Sequence, residues 1–318
     1  MRFPSIYKYI SIFGIPVLYA LLLRGLFGIS DAGSLFSVMT ISFLFFGPMV
    51  MGILTTYFAD EKDRKSKGYI FFAPWLPLFI FFVVTILLKI EGWACWVMVF
   101  PIFMIAASLG GYIGAHLKQQ NGNKTYISIL MLIPVLLSPL ENSIKTNPQI
   151  FKAYTHIDIN ATPDKIWDQV TRVASIDEKD DTGWLTRALG FPRPLHAELN
   201  YDGVGAYRKA VFTNGLVFHE TVTAYAHQKM MTFTIKANPH EIPSTTLDEH
   251  VAVGGQFFDV LNGTYELERI GNKKYRLHLY SHFVLKTTFN FYAGIWAKWI
   301  MKDIQNNILR IEKKRAES

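Results

Sequence analysis

Residues 151–170 read Phe151-Lys-Ala-Tyr-Thr-His-Ile-Asp-Ile-Asn-Ala-Thr-Pro-Asp-Lys-Ile-Trp-Asp-Gln-Val170, and they contain two different hydrophobic periods. The first half alternates apolar and polar side chains, as a half-buried strand does. The second half offers Thr162 as a helix N-cap and Pro163 at the first helical position. Ile166 and Val170 then fall on one face of that helix. A strand followed directly by a short helix therefore opens the second half of the chain.

Beyond this opening, turn signals separate a series of strand-like runs. Asn214-Gly215 and Gly271-Asn272 predict hairpin turns, and a second short helix is predicted near Thr182–Leu189. The chain ends in a predicted helix over about Phe291–Lys314 with an apolar stripe. The predicted strands are Leu195–Tyr201, Ala206–Thr213, Leu216–Tyr225, Met230–Ala237, Gln256–Arg269 and Lys274–Thr287. This order of elements indicates an α+β domain in which an antiparallel meander is closed by a long helix.

The residues before this domain are far more apolar. Of the 318 residues, 50% are hydrophobic and only 18% are charged, against about 25% charged in soluble proteins. Five apolar stretches approach the length that crosses about 30 Å of hydrocarbon. They are Ile10–Ile29, Ala32–Ala59, Gly68–Leu88, Gly92–Leu117 and the shorter Thr125–Leu140. The sequence therefore predicts a transmembrane helical domain over 1–140, a linker over 141–150 and a water-exposed domain over 151–318.

Lysine and arginine mark alternate connections between these stretches. They are Arg2 and Lys8 at the start, Lys62, Arg64, Lys65 and Lys67 in the second connection, and Lys118 and Lys124 in the fourth. Positive loops stay in the cytoplasm, so five crossings would place the C-terminal domain outside the cytoplasm. If Thr125–Leu140 does not cross, that domain is cytoplasmic. We expect an integral protein of a bacterial inner membrane, and the net charge of +7 needs no nucleic-acid partner.

The fourth apolar stretch also carries small residues at four-residue spacing. Ala106, Gly110 and Gly114 share one helical face, and such faces allow two helix backbones to approach closely. The pattern predicts either a central position in the bundle or a homo-oligomer seam through Gly110 and Gly114. Ionisable groups lie only near the ends of the apolar stretches, which disfavours an ion-coupled transporter.

Several short patterns, taken in order along the chain, resemble the START/polyketide-cyclase (SRPBCC, helix-grip) superfamily. The strand followed by Ala161-Thr-Pro-Asp-Lys-Ile-Trp167 resembles the opening of that family. Its hairpin pattern and its later motifs are similar to residues of this chain, namely Gly205-Ala-Tyr-Arg208, Phe212, Gly215, Glu220, Gly263-Thr-Tyr265 and Arg315-Ala-Glu317. The resemblance covers roughly residues 152–315. It implies a curved antiparallel sheet wrapped around the C-terminal helix, with an apolar cavity between them.

Arg208 and Glu220 lie on neighbouring predicted strands. A two-residue Asn-Gly loop would pair Lys209 with Glu220, whereas a three-residue loop with Gly215 in the left-handed conformation would pair Arg208 with Glu220. Buried in the cavity, such a pair could orient a polar group of a ligand. At the surface it would be worth under about 1 kcal/mol.

Two lists of candidate residues follow from this reading. The candidate catalytic residues are Arg208, Glu220, Tyr280 and His282. The candidate cavity residues are Trp184, Arg208, Glu220, Phe258, Tyr265, Tyr280, His282, Trp296 and Ile300. No cofactor is expected, and no metal site is predicted, because His278 and His282 would lie roughly 13 Å apart along a strand.

Three functions remain compatible with the sequence. The first is membrane-anchored binding, and transfer, of a hydrophobic or lipid-like ligand, with the bilayer and that ligand as partners. The second is a cyclase or dehydratase acting on a hydrophobic substrate in the same cavity. The third is a structural partner of another membrane protein, which would have a filled core. An empty interior beneath the terminal helix would separate the first two from the third.

Overall fold

A computed structural model describes residues 5–28, 36–120, 124–144, 147–237 and 253–318. The chain divides into two compact units, residues 1–146 and residues 147–318. Arg2 and the predicted connection Ser30–Gly33 lie outside the described residues.

In the described part of the first unit, all regular secondary structure is helical. Helix α1 (Ser5–Tyr9) continues through a π-helical segment (Ile10–Gly14) into α2 (Ile15–Phe27). A second π-helical segment (Ser42–Phe46) continues into α3 (Gly47–Phe58). The remaining helices are α4 (Glu61–Arg64), α5 (Lys67–Phe72), α6 (Trp75–Leu87), α7 (Trp93–Gln120) and α8 (Lys124–Ser143).

Among the described residues, four helices rather than five are long and apolar enough to cross a membrane. They are Tyr7–Phe27, Lys67–Leu87, Trp93–Gln120 and Thr125–Ser143. The predicted second span, Ala32–Ala59, contains only the shorter apolar helix Ser42–Phe58. Residues Gly47–Tyr57 of this helix are all buried, because neighbouring helices surround it.

The last apolar helix is longer than the sequence predicted. The linker was expected to begin at Glu141, but α8 continues to Ser143. The reason is a contact that the sequence does not reveal. The Glu141 carboxylate accepts hydrogen bonds from the backbone amides of Ile41 (2.7 Å) and Ser42 (2.9 Å). These amides begin the helix that leads into α3, so an acidic side chain at that N-terminus is favourable.

Helices α3 and α7 approach closely through their small residues. A Cβ atom added at Gly110 would lie 1.9 Å from the carbonyl oxygen of Met49, and one at Gly114 would lie 2.3 Å from that of Ile53. The face that carries Gly110 and Gly114 is therefore covered by α3 of the same chain. Of the two alternatives that the spacing left open for this face, the contact within the bundle is the one observed.

Polar contacts define the two ends of the first unit. At one end the Lys8 ammonium pairs with Asp60. At the other end Arg24 pairs with Glu91, and the Ser42 hydroxyl donates to Glu141. Because the helix from Ser42 to Phe58 leads towards Asp60, and Glu141 lies in the last turn of α8, Lys8 and the end of α8 lie at opposite ends of the bundle.

The second unit is a seven-stranded antiparallel sheet with one long helix. The strands are β1 (Gln149–Ile159), β2 (Pro194–Leu199), β3 (Tyr207–Phe212), β4 (Val217–Ala226), β5 (Met230–Ala237), β6 (Phe258–Gly271) and β7 (Lys274–Leu285). Their order across the sheet is β1-β7-β6-β5-β4-β3-β2. The helices α9 (Pro163–Thr171) and α10 (Trp184–Leu189) lie between β1 and β2 in sequence, and α11 (Asn290–Ala316) ends the chain. This is the predicted helix-grip arrangement.

Helix α11 runs along β1 and packs against the inner face of the sheet. At its start, Gly294 lies against the ring of Phe151; near its end, the Lys313 ammonium donates to the carbonyl oxygen of Asp158. Between these points the Gln305 amide donates to Ser281 (3.1 Å). Trp167 of α9 is 1% exposed and fills part of the core between the sheet and the helices. The helix and the sheet therefore enclose one interior.

The close approach of α3 and α7 can be tested with one methyl group. We expect Gly110→Ala to lower the stability of the full chain by about 1–3 kcal/mol, because the methyl group would overlap the backbone of α3. Gly25→Ala is the matched control, since nothing lies within 4 Å of a Cβ at Gly25 of α2; it should be neutral or stabilise by up to about 1 kcal/mol. Thermal unfolding of the detergent-solubilised protein measures both. Equal melting temperatures for the two variants would contradict this packing.

Candidate ligand cavity

A cavity of about 160 Å³ lies between the inner face of the sheet and α11. Most of its wall is apolar. The sheet contributes Phe212, Phe218, Phe233, Ile235, Phe258 and Val260, and α11 contributes Ile300, Met301, Ile304, Ile308 and Ile311. Five isoleucine and methionine side chains at helical spacing therefore form one side of the cavity, as the predicted apolar stripe of the terminal helix requires.

A few polar side chains interrupt this apolar wall: His196, Arg208, Glu220, Tyr265, Ser281 and Gln305. Gln305 is fully engaged, because its amide group donates to Ser281 and Ala153 and accepts from the Thr155 hydroxyl (3.2 Å). A largely apolar pocket with a small number of polar groups is the usual form of a small-molecule site.

The hairpin between β3 and β4 decides how Arg208 is paired. Its loop has three residues, Thr213-Asn214-Gly215, closed by a hydrogen bond from the Phe212 amide to the Leu216 carbonyl (2.8 Å). Asn214 and Gly215 both have positive φ, at 61° and 81°, which glycine tolerates without strain. Arg208 is consequently opposite Glu220 in the register. Of the two alternatives left open by the sequence, the three-residue loop is the one observed.

Arg208 and Glu220 form a buried ion pair. Their side chains are 5% and 4% exposed, and the guanidinium donates to the Glu220 carboxylate at 2.5 Å. Arg208 also donates to the carbonyl oxygens of Val170 and Thr171, both at 3.4 Å. These carbonyls end α9, where the helix dipole favours a cation. Burial raises the pKa of Glu220, although the adjacent Arg208 guanidinium opposes this shift.

A second buried acid, Glu312 of α11, lies close to this pair. It is 1% exposed, and within the described part of the chain neither of its carboxyl oxygens has a hydrogen-bond partner. Burial raises the pKa of Glu312 to about 8, although the Tyr265 hydroxyl and the Arg208 guanidinium favour its charged form. Glu312 is therefore largely protonated at neutral pH.

Five of the nine candidate cavity residues line the cavity: Arg208, Glu220, Phe258, Tyr265 and Ile300. Four lie elsewhere, which corrects their assignment. Trp184 begins α10 and is 71% exposed, and Trp296 belongs to α11 but lies outside the wall. Tyr280 and His282 lie on the outer face of β7, because Leu279, Ser281 and Phe283 face inward and strand side chains alternate.

The outer face of β7 has its own contacts. The Lys152 ammonium lies 4.0 Å from the centre of the Tyr280 ring, and His282 Nδ1 lies 2.9 Å from the amide oxygen of Asn262. The four candidate catalytic residues are therefore split between two sides of the sheet. Among the residues that the structure describes, no three histidine, cysteine, aspartate or glutamate side chains are grouped to bind a metal ion.

Sequence reasoning missed Glu312 and the polar residues His196, Ser281 and Gln305. A signal for Glu312 was present, since it lies four residues after Ile308 and so on the same side of the predicted helix as the apolar stripe. A charged residue in such a stripe indicates a buried acid. Ser281 could have been found from the alternation of β7, because it lies between the apolar positions Leu279 and Phe283.

Comparisons with known proteins return only distant structural similarity. No family model matches this chain, and no curated protein matches it. The Zhui aromatase/cyclase of Streptomyces sp. R1128 is 11% identical, over 53% of this chain and 94% of that one, with a TM-score of 0.34. Norcoclaurine synthase of Thalictrum flavum is 14% identical, over 54% and 87%, with a TM-score of 0.31. The Aha1 dimer of Colwellia psychrerythraea is 18% identical, over 52% and 96%, with a TM-score of 0.29. Similarity at this level says nothing about activity.

The buried acid makes stability depend on pH. With a pKa near 8 in the folded state, against an ordinary 4.5, Glu312 keeps a proton that the unfolded chain has lost. The stability contributed by that proton is therefore fully present below about pH 4.5. It is lost progressively as the pH rises from there to about 8. A shift of this size corresponds to on the order of 5 kcal/mol.

We expect Glu312→Gln to remove most of this pH dependence. The free energy of unfolding of the variant, relative to that of the wild type, should therefore be higher at pH 8.5 than at pH 6. The full chain, solubilised in detergent, is unfolded in urea at each pH. Proteolysis of the second unit reports its unfolding and so gives the difference in stability between the variant and the wild type. Glu266→Gln is the control, because Glu266 is exposed on β6. If the free energies of unfolding of the wild type and of Glu312→Gln changed with pH in the same way, Glu312 would be ionised in the folded protein.

Proposed function

We propose that the second unit binds a hydrophobic or lipid-like ligand in the cavity between α11 and the sheet, and that the first unit holds this domain at a membrane. The observation that carries the proposal is the cavity itself, an apolar space between α11 and the sheet, beside a core in which the large side chains are closely packed. Protein interiors contain few voids larger than a water molecule. An apolar space of this size therefore favours an occupant.

The size of the cavity limits what the ligand can be. Its volume of about 160 Å³ is close to the ~150 Å³ cavity that stays dry and binds benzene in another protein. Pockets for drug-sized ligands are larger, at about 300–1,000 Å³. In this conformation the cavity accommodates a small apolar molecule or a segment of one acyl chain, and Tyr265 brings a hydroxyl group to its wall.

The membrane part of the proposal is supported by the first unit. Four of its helices are long and apolar enough to cross a bilayer, and the shorter α3 joins the same two ends of the bundle. Lys8, Asp60 and the basic connection that follows α3 lie at one end, which the positive-inside rule assigns to the cytoplasm. We place the C-terminal domain outside the cytoplasm of a bacterial inner membrane, because α8 ends at the opposite end.

A cyclase or dehydratase in the same cavity is the second candidate. Arg208 and Glu220 are buried in its wall, as that function requires, and Tyr265 adds a hydroxyl. However, Arg208 already donates to Glu220 and to two carbonyls of α9, which gives the pair a structural role. The third candidate, a structural partner of another membrane protein, would have a filled core, and the apolar cavity beneath α11 favours the first two candidates over it.

Ligand binding can be tested by filling the cavity from its helix side. We expect the full chain in detergent to retain a lipid or another hydrophobic compound detectable by mass spectrometry, and to bind a fluorescent hydrophobic probe. Ile304→Trp should reduce probe binding at least tenfold, because the larger ring occupies the space. Lys209→Trp is the control, since Lys209 is exposed on the outer face of β3 next to Ala210. Equal probe binding by the two variants would contradict the proposed site.

The side of the membrane can be tested with a reporter that is active only in the cytoplasm. Fused after Ser318, the reporter should be inactive. The four long helices and the shorter α3 together make five crossings, and these would leave Lys8 and the end of α8 on opposite sides of the membrane. Fused after Lys65, in the basic connection, it should be active in the same cells. Strong activity after Ser318 would place the cavity in the cytoplasm and leave the ligand proposal intact.

A further inference from the structure

The first turns of α11 expose an apolar and aromatic face. Phe291, Ile295 and Trp299 are 71%, 47% and 55% exposed, and they repeat every four residues, so their side chains form one row about 12 Å long. Lys298 and Lys302 lie within the same face and are also exposed. These five residues are called the aromatic face of α11 below.

Phe291, Ile295 and Trp299 are exposed, but the residue that continues their row one turn later, Asp303, is buried. Asp303 follows Trp299 by four residues, and α10 packs there, since the amide and hydroxyl groups of Thr186 donate to Asp303 (2.9 and 2.8 Å). Trp184, at the start of α10, borders this point and is itself exposed. Burial by α10 therefore stops where the three large apolar side chains begin. Exposed apolar rows of this kind mark interaction surfaces.

The aromatic face lies on the other side of α11 from the cavity. Ile295 and Ile304 are nine residues apart, which is two and a half turns of a helix. Ile304 lines the cavity, so Ile295 points away from it. The aromatic face, in the first turns of α11, therefore points away from the side of the helix that forms the cavity wall further along.

The chain reaches this end of the domain directly from an apolar helix. Gln149, the first residue of β1, pairs with Leu285, and Phe151 packs against Gly294 of α11. Only five residues separate Ser143 of α8 from Gln149, and they span at most about 20 Å when extended. If α8 crosses a bilayer, Gln149 lies within that distance of the point where the chain leaves it, and Gln149 starts the strand that packs on the first turns of α11.

We propose that the aromatic face of α11 docks into the headgroup region of the bilayer that the first unit spans. Tryptophan and phenylalanine are favoured at that depth, where one part of the surface is apolar and the other wet. Lysines interleaved with them extend their ammonium groups to lipid phosphates while their stems remain in apolar surroundings. This proposal rests on the membrane part of the proposed function and requires no ligand in the cavity.

Lipid contact can be measured at a single labelled position in the full chain. The lone cysteine, Cys95, is first replaced by alanine, and Ile295→Cys is labelled with an environment-sensitive fluorophore after reconstitution into liposomes containing anionic lipid. We expect emission at shorter wavelength, and loss of emission when the lipids carry a quencher below the headgroup. Glu266→Cys, on the outer face of β6, is the control and should show neither effect. Changing Phe291 and Trp299 together to serine should return the emission at position 295 to its aqueous value.

The outcomes separate this proposal from the others. A water-like emission at Ile295→Cys, unaffected by the lipid quencher, would overturn it. Emission at shorter wavelength without lipid quenching would also overturn it, because a second copy or another protein segment would then cover the face. Probe binding by the same sample tests the cavity independently. A chain that binds the probe but is not quenched loses only the docking surface, and one that is quenched but binds no probe loses only the ligand site.

Discussion

The buried guanidinium of Arg208 is the interaction on which the arrangement of the second unit depends. It joins β3 to β4 through Glu220 and joins both strands to the end of α9 through the carbonyl groups of Val170 and Thr171. A buried charge is costly unless it is paired and hydrogen-bonded, so these three elements must keep their relative positions. Removing one partner of such a pair typically costs about 3–5 kcal/mol, because the other charge remains buried and unpaired.

The same constraint explains the state of the neighbouring acid. Arg208 carries one positive charge, and Glu220 balances it at 2.5 Å. A second ionised carboxyl at Glu312 would leave a net negative charge in the core, where burial already raises its pKa to about 8. Protonation of Glu312 leaves the interior neutral. The wall of the cavity therefore combines an apolar surface with polar groups whose charges cancel, which suits an uncharged hydrophobic ligand.

Close packing plays the corresponding role in the first unit. In a bilayer, water provides no driving force for two apolar helices to associate, so backbone contact through small residues becomes the main source of attraction. Gly110 and Gly114 of α7 lie against carbonyl groups of α3, and α3 is buried from Gly47 to Tyr57. A helix held in this way is surrounded by other helices of the same unit. This explains how a segment shorter than the usual span occupies the centre of the bundle.

The sequence by itself determined the elements and their order. Period-two strands, hairpin signals, the cap at Thr162 and the apolar stripe of the terminal helix depend on local spacing, and they predicted an antiparallel meander closed by a long helix. The curved sheet around that helix was implied by the resemblance to the START/polyketide-cyclase superfamily. The spacing of Gly110 and Gly114 likewise predicted close helix contact. The resemblance, together with the aromatic residues of the domain, also pointed to five residues that line the cavity, among them Arg208 and Tyr265.

What only the tertiary structure decided depends on contacts between distant residues. The loop conformation at Gly215 selected Arg208 rather than Lys209 as the partner of Glu220. The position of β7 in the sheet turned Tyr280 and His282 outward. The contact of Glu141 with Ile41 and Ser42 extended α8, and α3 covered the glycine face that a second copy could otherwise have used. Which side of a strand or helix is buried is set by the element that packs on it, and a single sequence states the pattern of faces without naming the neighbour that covers each one.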